Sequence, residues 1–332
     1  GSIAAGVGYS QLSGVNLSLQ LSENNFLGTG NRVSVGLTRS TYQKRYDFSF
    51  MNPYFTDEGL SLGYNLWWRE FDYSSYNVAQ YSTNSGAAQV FMGLPLSESD
   101  SVSLMFGIDS NEILAFPGST PPPLVDYISA VGNRTFHSWR TQLGWGRDTR
   151  NDYFTPVVGT TQNLSAEIAM PGSTVEYYKL SYDFAKYWPL NQALVVKTAV
   201  NLGYGDSYGK DFTRNLCYTA PTFTDSNGDG ILDTEVPGPA PSNPCLPTSP
   251  DFDKTVTASG LPFFENFYAG GIAAQGKVRG FVDNTLGPAY AGISGYRQPL
   301  GGSFLLAGSV EAIFPKLFDS PAARVSAFID FG

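Results

Sequence analysis

Histidine occurs once and cysteine twice in 332 residues, and those scarcities remove most enzyme chemistry at the outset. His137 alone gives a Ser-His-Asp set, a Cys-His pair or a His-rich zinc site little to build on. It lies in a strand-like run and reads as a lumen or girdle residue. Charge is also thin, with 15% charged residues and Lys plus Arg at 20 against Asp plus Glu at 29. A net charge of -9 with no basic stripe argues against a nucleic-acid surface, which needs clustered cations to displace counterions from phosphates. No stretch approaches the ~20 consecutive apolar residues of a spanning helix, so a membrane crossing would have to be made by strands. The start, Gly1-Ser2-Ile3-Ala4, carries neither a basic nor an apolar leader segment, and the expectation is a mature or excised stretch. Most Asp and Glu are scattered through turns, where solvation explains them. The reading is a non-enzyme that needs no cofactor.

What is abundant points to strands. Aromatic residues make up 14% and glycines number 36, while mean hydropathy stays slightly negative at -0.14. That combination favours strands, tight turns and aromatic belts over helical bundles. Apolar and polar residues alternate in segments of about ten. Val15, Leu17, Leu19 and Leu21 alternate with Asn16, Ser18 and Gln20, and Leu60, Leu62, Tyr64, Leu66 and Trp68 alternate with Ser61, Gly63, Asn65, Trp67 and Arg69. Tyr178, Leu180, Tyr182 and Phe184 likewise alternate with Lys179, Ser181 and Asp183. A soluble sandwich would have to bury Arg69, Arg140, Lys179, Asp183, Lys197 and Glu311 in a dry core, whereas a membrane barrel turns them into a wet lumen. The fold class is therefore all-β, a transmembrane antiparallel β-barrel.

This period gives about thirteen strands, near residues 3–10, 15–22, 31–40, 43–51, 59–72, 83–94, 100–112, 135–148, 160–170, 174–187, 192–206, 302–314 and 323–332. Compact turns such as Asn52-Pro53-Tyr54-Phe55 and Pro95-Leu96-Ser97-Glu98 alternate with longer polar connections near 73–82, 113–134 and 207–301. This matches short periplasmic turns and long extracellular loops. Tyr54, Phe55, Trp67, Trp68, Tyr153, Phe154, Tyr187 and Trp188 gather at strand ends, as interfacial girdles require.

Within the last long connection the chain reads Phe264-Glu265-Asn266-Phe267-Tyr268-Ala269-Gly270-Gly271, then Val278-Arg279-Gly280-Phe281. This resembles the signature loop of the BamA-like outer-membrane insertases, and the Asn-Pro-Tyr-Phe turn resembles the same family's barrel. The similarity runs over essentially the whole chain, to the closing Ala327-Phe328-Ile329-Asp330-Phe331-Gly332 strand. It implies that residues 207–301 form an extracellular loop folded into the lumen, with Arg279 paired to Glu311 and Asp330. The alternative is an exposed loop arginine whose ion pairs contribute only ~0–1 kcal/mol. A buried arginine must find carboxylates, and Gly280 is expected to let the backbone approach the barrel wall closely. Alternation turns Glu311 inward with Ser303, Leu305, Ser309 and Ile313, and Arg324, Ser326, Phe328 and Asp330 inward on the next strand.

The resemblance also implies a sixteen-stranded barrel behind periplasmic POTRA domains, so thirteen strands are expected to be part of a longer protein that would not close alone. It implies that the first strand, Ile3, Ala4, Ala5, Gly6, Val7, Gly8 and Tyr9, forms a weak lateral seam that offers its edge to incoming strands. Small side chains there provide few cross-strand contacts, although a Gly-rich strand start at a tight barrel position explains them equally well. The implied function is assembly of β-barrel proteins into the bacterial outer membrane. Implied partners are the bilayer, unfolded barrel clients and periplasmic lipoproteins recruited through the POTRA domains. A secretion pore passing one polypeptide is the alternative, since related families share the Arg-Gly-Phe or Arg-Gly-Tyr loop. A passive porin or adhesin ranks below both.

Two loop features remain open. Cys217 and Cys245 share one polar, Pro-rich segment and suggest a disulfide in an oxidising compartment, with two free thiols as the alternative. Asp225, Asn227, Asp229 and Asp233 alternate around glycines like the start of a calcium loop, but the twelfth position is Val236 instead of Glu. An acidic turn closed by the two cysteines explains the segment without calcium.

Overall fold

A backbone placed in lipid must satisfy its N–H and C=O groups within the protein, and this chain pairs them between neighbouring strands of one antiparallel ladder. The computed structural model describes residues 1–10, 14–40, 43–72, 81–116, 119–215, 222–224, 234–236, 255–272, 274–291, 297–314 and 325–332. The first eleven strands are β1 (Ser2–Ser10), β2 (Gly14–Glu23), β3 (Arg32–Arg39), β4 (Gln43–Asn52), β5 (Ser61–Asp72), β6 (Tyr81–Pro95), β7 (Asp100–Ala115), β8 (Thr135–Asp148), β9 (Gly159–Ala169), β10 (Tyr177–Pro189) and β11 (Val195–Ser207). Short strands β12 (Phe212–Asn215), β13 (Thr222–Thr224), β14 (Thr234–Val236), β15 (Thr255–Ala258), β16 (Ala289–Ala291) and β17 (Arg297–Pro299) follow, before β18 (Phe304–Phe314) and β19 (Val325–Phe331). One helix, α1 (Pro122–Val131), lies between β7 and β8.

Strands β1 to β11, then β18 and β19, form a single thirteen-stranded sheet in chain order. The thirteen segments read from alternation correspond one for one to these strands. Every neighbouring pair is antiparallel, and β1 and β19 stand at the two ends of the order. Among the described residues no helix is long and apolar enough to cross a membrane.

The pleat sorts the faces. On β5, Tyr64, Leu66 and Trp68 project from the outer face with 42%, 51% and 45% of their surface exposed, as side chains that meet lipid do. Trp67 belongs to the opposite face and lies beside Arg69, whose guanidinium sits 5.5 Å from its ring. Trp67 is therefore a lumen residue, not a girdle member, because a neighbour one position along a strand points the other way. Tyr187 is corrected for the same reason: it faces Lys197 across the β10–β11 ladder, with the ammonium 5.8 Å from its ring, while Trp188 is outward. His137 is exposed and shares the outer face with Trp139 and Leu143.

The connection between β7 and β8 contains α1, which the strand period does not reveal. Pro122 opens it and Gly132 closes it at φ 74°, its N–H bonding to the Ile128 carbonyl. The helix rests on β12 and β15, burying Leu124, Tyr127 and Ile128 with Val256, Ala258, Phe136 and Phe263. This apolar dome covers the loop end of β6 to β8, from which the long β11–β18 connection enters the lumen.

Candidate functional site

Inside the sheet the connection folds back on itself through paired backbone bonds. Phe267 and Gly302 exchange N–H···O bonds of 2.8 and 2.9 Å, and Gly271 and Val278 exchange bonds of 2.9 and 3.0 Å. Gly271 takes φ 73°, where a Cβ would lie 2.7 Å from the Asp283 Cα, so only glycine fits this turn. The Asp283 carboxylate accepts from the Ile272 N–H at 2.8 Å and fixes the tip.

From that tip Arg279 reaches β18 and β19. Its Nε and Nη2 donate to Asp330 at 2.8 Å each, its own backbone N–H donates to the same carboxylate at 2.8 Å, and Nη2 also donates to Ser309 Oγ at 3.0 Å. Glu311 stands 3.5 Å from Nη1, and the guanidinium lies 3.4 Å from the Phe328 ring centre. A planar fork on a carboxylate, backed by an aromatic face, is what arginine does and lysine cannot. The Asp330 side chain is 3% exposed against 29% for Arg279, so the acid is the more deeply sunk partner. Val278 is buried, whereas Phe281 is half exposed.

Gly280 does not serve a close approach to the wall. A Cβ there would meet nothing within 4 Å, while the backbone takes φ 91°. Its value is conformational, turning the chain sharply after Arg279. Close approach occurs instead at Gly203 on β11, where a Cβ would stand 2.6 Å from the Phe267 ring, and at Gly276, where it would meet Leu305 at 2.5 Å.

A second charged cluster lies where sequence reasoning assigned no partners. Glu265, in a turn of 3-10 helix at Phe263–Glu265, places one oxygen 3.0 Å from Lys179 Nζ and the other 3.3 Å from Arg140 Nη1. Arg140 also bonds Asp109 at 2.5 Å and Glu167 at 3.4 Å, and the Tyr177 hydroxyl donates to Glu167 at 3.1 Å. Burial pushes the Glu265 carboxyl up, but Lys179 and then Arg140 outweigh it and hold the group below its ordinary range. Arg140 and Lys179 were legible as inward charges. Their common acid, 125 and 86 residues away, was not. The hint was Glu265 itself, an acid set among Phe263, Phe264 and Phe267.

Strand β1 pairs with β2 from Ser2↔Ser22 to Ser10↔Gly14. Ile3, Ala5, Val7 and Tyr9 share one face, and Ala4, Gly6 and Gly8 the other, with Ile3, Val7 and Tyr9 exposed at 77%, 80% and 78%. Cys217, Cys245, Asp225, Asn227, Asp229, Asp233 and Arg324 lie outside the described residues.

With a strand-built wall and an arginine-clamped lumen loop in place, residues 25–332 match the model of the Omp85 superfamily domain. The chain belongs to the Omp85 superfamily. It is 28% identical over its whole length to the outer membrane protein assembly factor BamA of Neisseria meningitidis serogroup B, of which the alignment covers 37%. It is 30% identical over 113 residues, 34% of this chain and 18% of the relative, to BamA of Buchnera aphidicola. The crystal structure of Haemophilus ducreyi BamA lacking POTRA domains 1-3 superposes with a TM-score of 0.73 at 25% identity, covering 99% of this chain and 56% of that one. The chain thus spans about a third or less of these curated relatives' lengths and just over half of the solved structure. As an Omp85 barrel related to these proteins, it resides in the outer membrane.

Proposed function

We propose that this barrel belongs to an assembly factor that helps other β-barrel proteins fold into the outer membrane. The observation that carries the reading is the lumen loop: Arg279 locked on Asp330 and Glu311, within a sheet that superposes on a BamA barrel. The arrangement contains fixed ion pairs and apolar surface and works by binding, without bond chemistry. Clients add to the β1 edge by strand pairing, where backbone bonds give affinity and the small Ala4, Gly6 and Gly8 side chains keep the seam weak. The bilayer meets the outer face, and periplasmic lipoproteins join through domains ahead of the barrel. No cofactor is required for this work. Calcium at Asp225, Asn227, Asp229 and Asp233, and a Cys217–Cys245 bridge, would serve only to stiffen the surface loop.

Depleting the full-length protein in its own cells, with all outer-membrane barrels and secreted proteins quantified, tests the reading. Broad loss of unrelated barrels is the expected result. Loss of one secreted passenger with other barrels intact would replace assembly by a secretion pore.

A further inference from the structure

The two charged clusters hold the same loop to different walls. Asp330, Ser309 and Glu311 belong to β18 and β19, at the end of the sheet order, whereas Asp109, Arg140, Glu167, Tyr177 and Lys179 belong to β7, β8, β9 and β10. Among the described residues, Glu265 is the loop's one charged side chain in the second cluster, and both its oxygens are engaged there. Around it the loop is packed on every side: Phe263 meets Tyr81 and Tyr127 edge to face, Phe264 meets Phe136, and Phe267 lies 5.0 Å from Lys179 Nζ over Gly203. The Arg279 end is barer, with Ile272, Phe281 and Val282 exposed at 70%, 53% and 66%.

We propose that Glu265 is a positioning residue that pins the loop to the β7–β10 wall and sets the depth at which Arg279 meets Asp330. The unequal surroundings give the pair a direction. When the sheet end at β18–β19 moves, the Arg279 clamp releases and the loop stays with β7–β10. Breaking Glu265 away is costly because Lys179 would lose its carboxylate, and Arg140 one of its three, in a largely buried cluster. The Arg279 side chain is 29% exposed against 16% for Arg140 and 19% for Lys179, so water reaches a released guanidinium more readily there.

The test uses the full-length protein in lipid nanodiscs, with spin labels at Thr285 on the loop and at Leu190 on the turn after β10, and a second pair at Thr285 and Val325. Glu265→Gln, which keeps the shape and removes the charge, is expected to widen both distance distributions about twofold, as a loop freed by local unbinding would. Glu265→Asp, which keeps the charge and changes the shape, is expected to leave both narrow. Arg279→Ala is expected to widen only the Thr285–Val325 distribution. Packing alone would reverse the order of the Gln and Asp variants, and that reversal overturns the proposal. So does an unchanged Thr285–Leu190 distribution in Glu265→Gln, or its widening in Arg279→Ala. Should the variants fail to fold, hydrogen exchange in the unsubstituted protein decides. Phe267 and Gly302 amides, beside Glu265, are expected to exchange more slowly than those of Gly271 and Val278, beside Arg279; equal or reversed rates overturn it. Loop position, not client assembly, is what these measurements read, so failure of the assembly role would leave their outcome unaffected.

Discussion

The lumen has two unlike walls. Along β7 to β10 the inward residues Asp109 and Ser138 are buried, and the loop covers them with charge pairs and aromatic rings. Along β1 to β4 the inward residues are small, Ala4, Gly6, Ser18, Gly36 and Thr38, and with Gln20, Arg45 and Asp47 they line an open hollow of about 430 Å³. The first wall is held by side chains far apart in sequence, while the second relies on its backbone ladder. A strand held mainly by its ladder can exchange partners without dismantling a core, as the seam proposed at β1 requires.

Substitutions can break this contrast. The largest effect is expected from Glu265→Ala, which takes from Lys179 its carboxylate and from Arg140 one of three: a loss of roughly 3–5 kcal/mol in urea unfolding followed by gel mobility. Because the folded carboxyl is held below its ordinary value, its contribution is present above the unfolded pKa of about 4.3 and is lost as pH falls through the depressed value. The gap between the two proteins should persist at neutral pH and narrow in acid. Asp330→Ala comes next, at roughly 2–4 kcal/mol, since Glu311 remains near Arg279. Gly280→Ala should cost about 1–2 kcal/mol from the strained φ alone, with no clash, which unfolding midpoints would register as a modest shift. At the other extreme, Arg45→Ala removes a half-exposed partner of Asp47 in the β1–β4 hollow and should change the midpoint by no more than about 0.5 kcal/mol. A large effect of Arg45→Ala would erase the distinction between the walls.

How much of this was legible in the sequence follows from the range of each interaction. Strands write themselves into a period of two, so Leu66 and Trp68 declared their face before any fold was known. The same period misled only where aromatic character was weighed above parity, at Trp67 and Tyr187. Helix α1 left local signs, Pro122 before an apolar run and Gly132 after it, but its ten residues sit inside a long polar connection that reads as loop. Glu265 and Arg140 meet across 125 residues, and nothing local to either names the other. Gly280 was singled out correctly but explained wrongly, because a glycine needed for φ and one needed for space look identical in a sequence.

The central claim is that Arg279 holds the loop inside the barrel by its bond to Asp330, and a double-mutant cycle tests it most directly. Arg279→Ala, Asp330→Ala and the pair, made in the full-length protein and unfolded in urea, should yield a coupling of roughly 1–3 kcal/mol. A coupling within about 0.3 kcal/mol of zero, with the two losses simply adding, would show the residues to be independent and contradict the clamp.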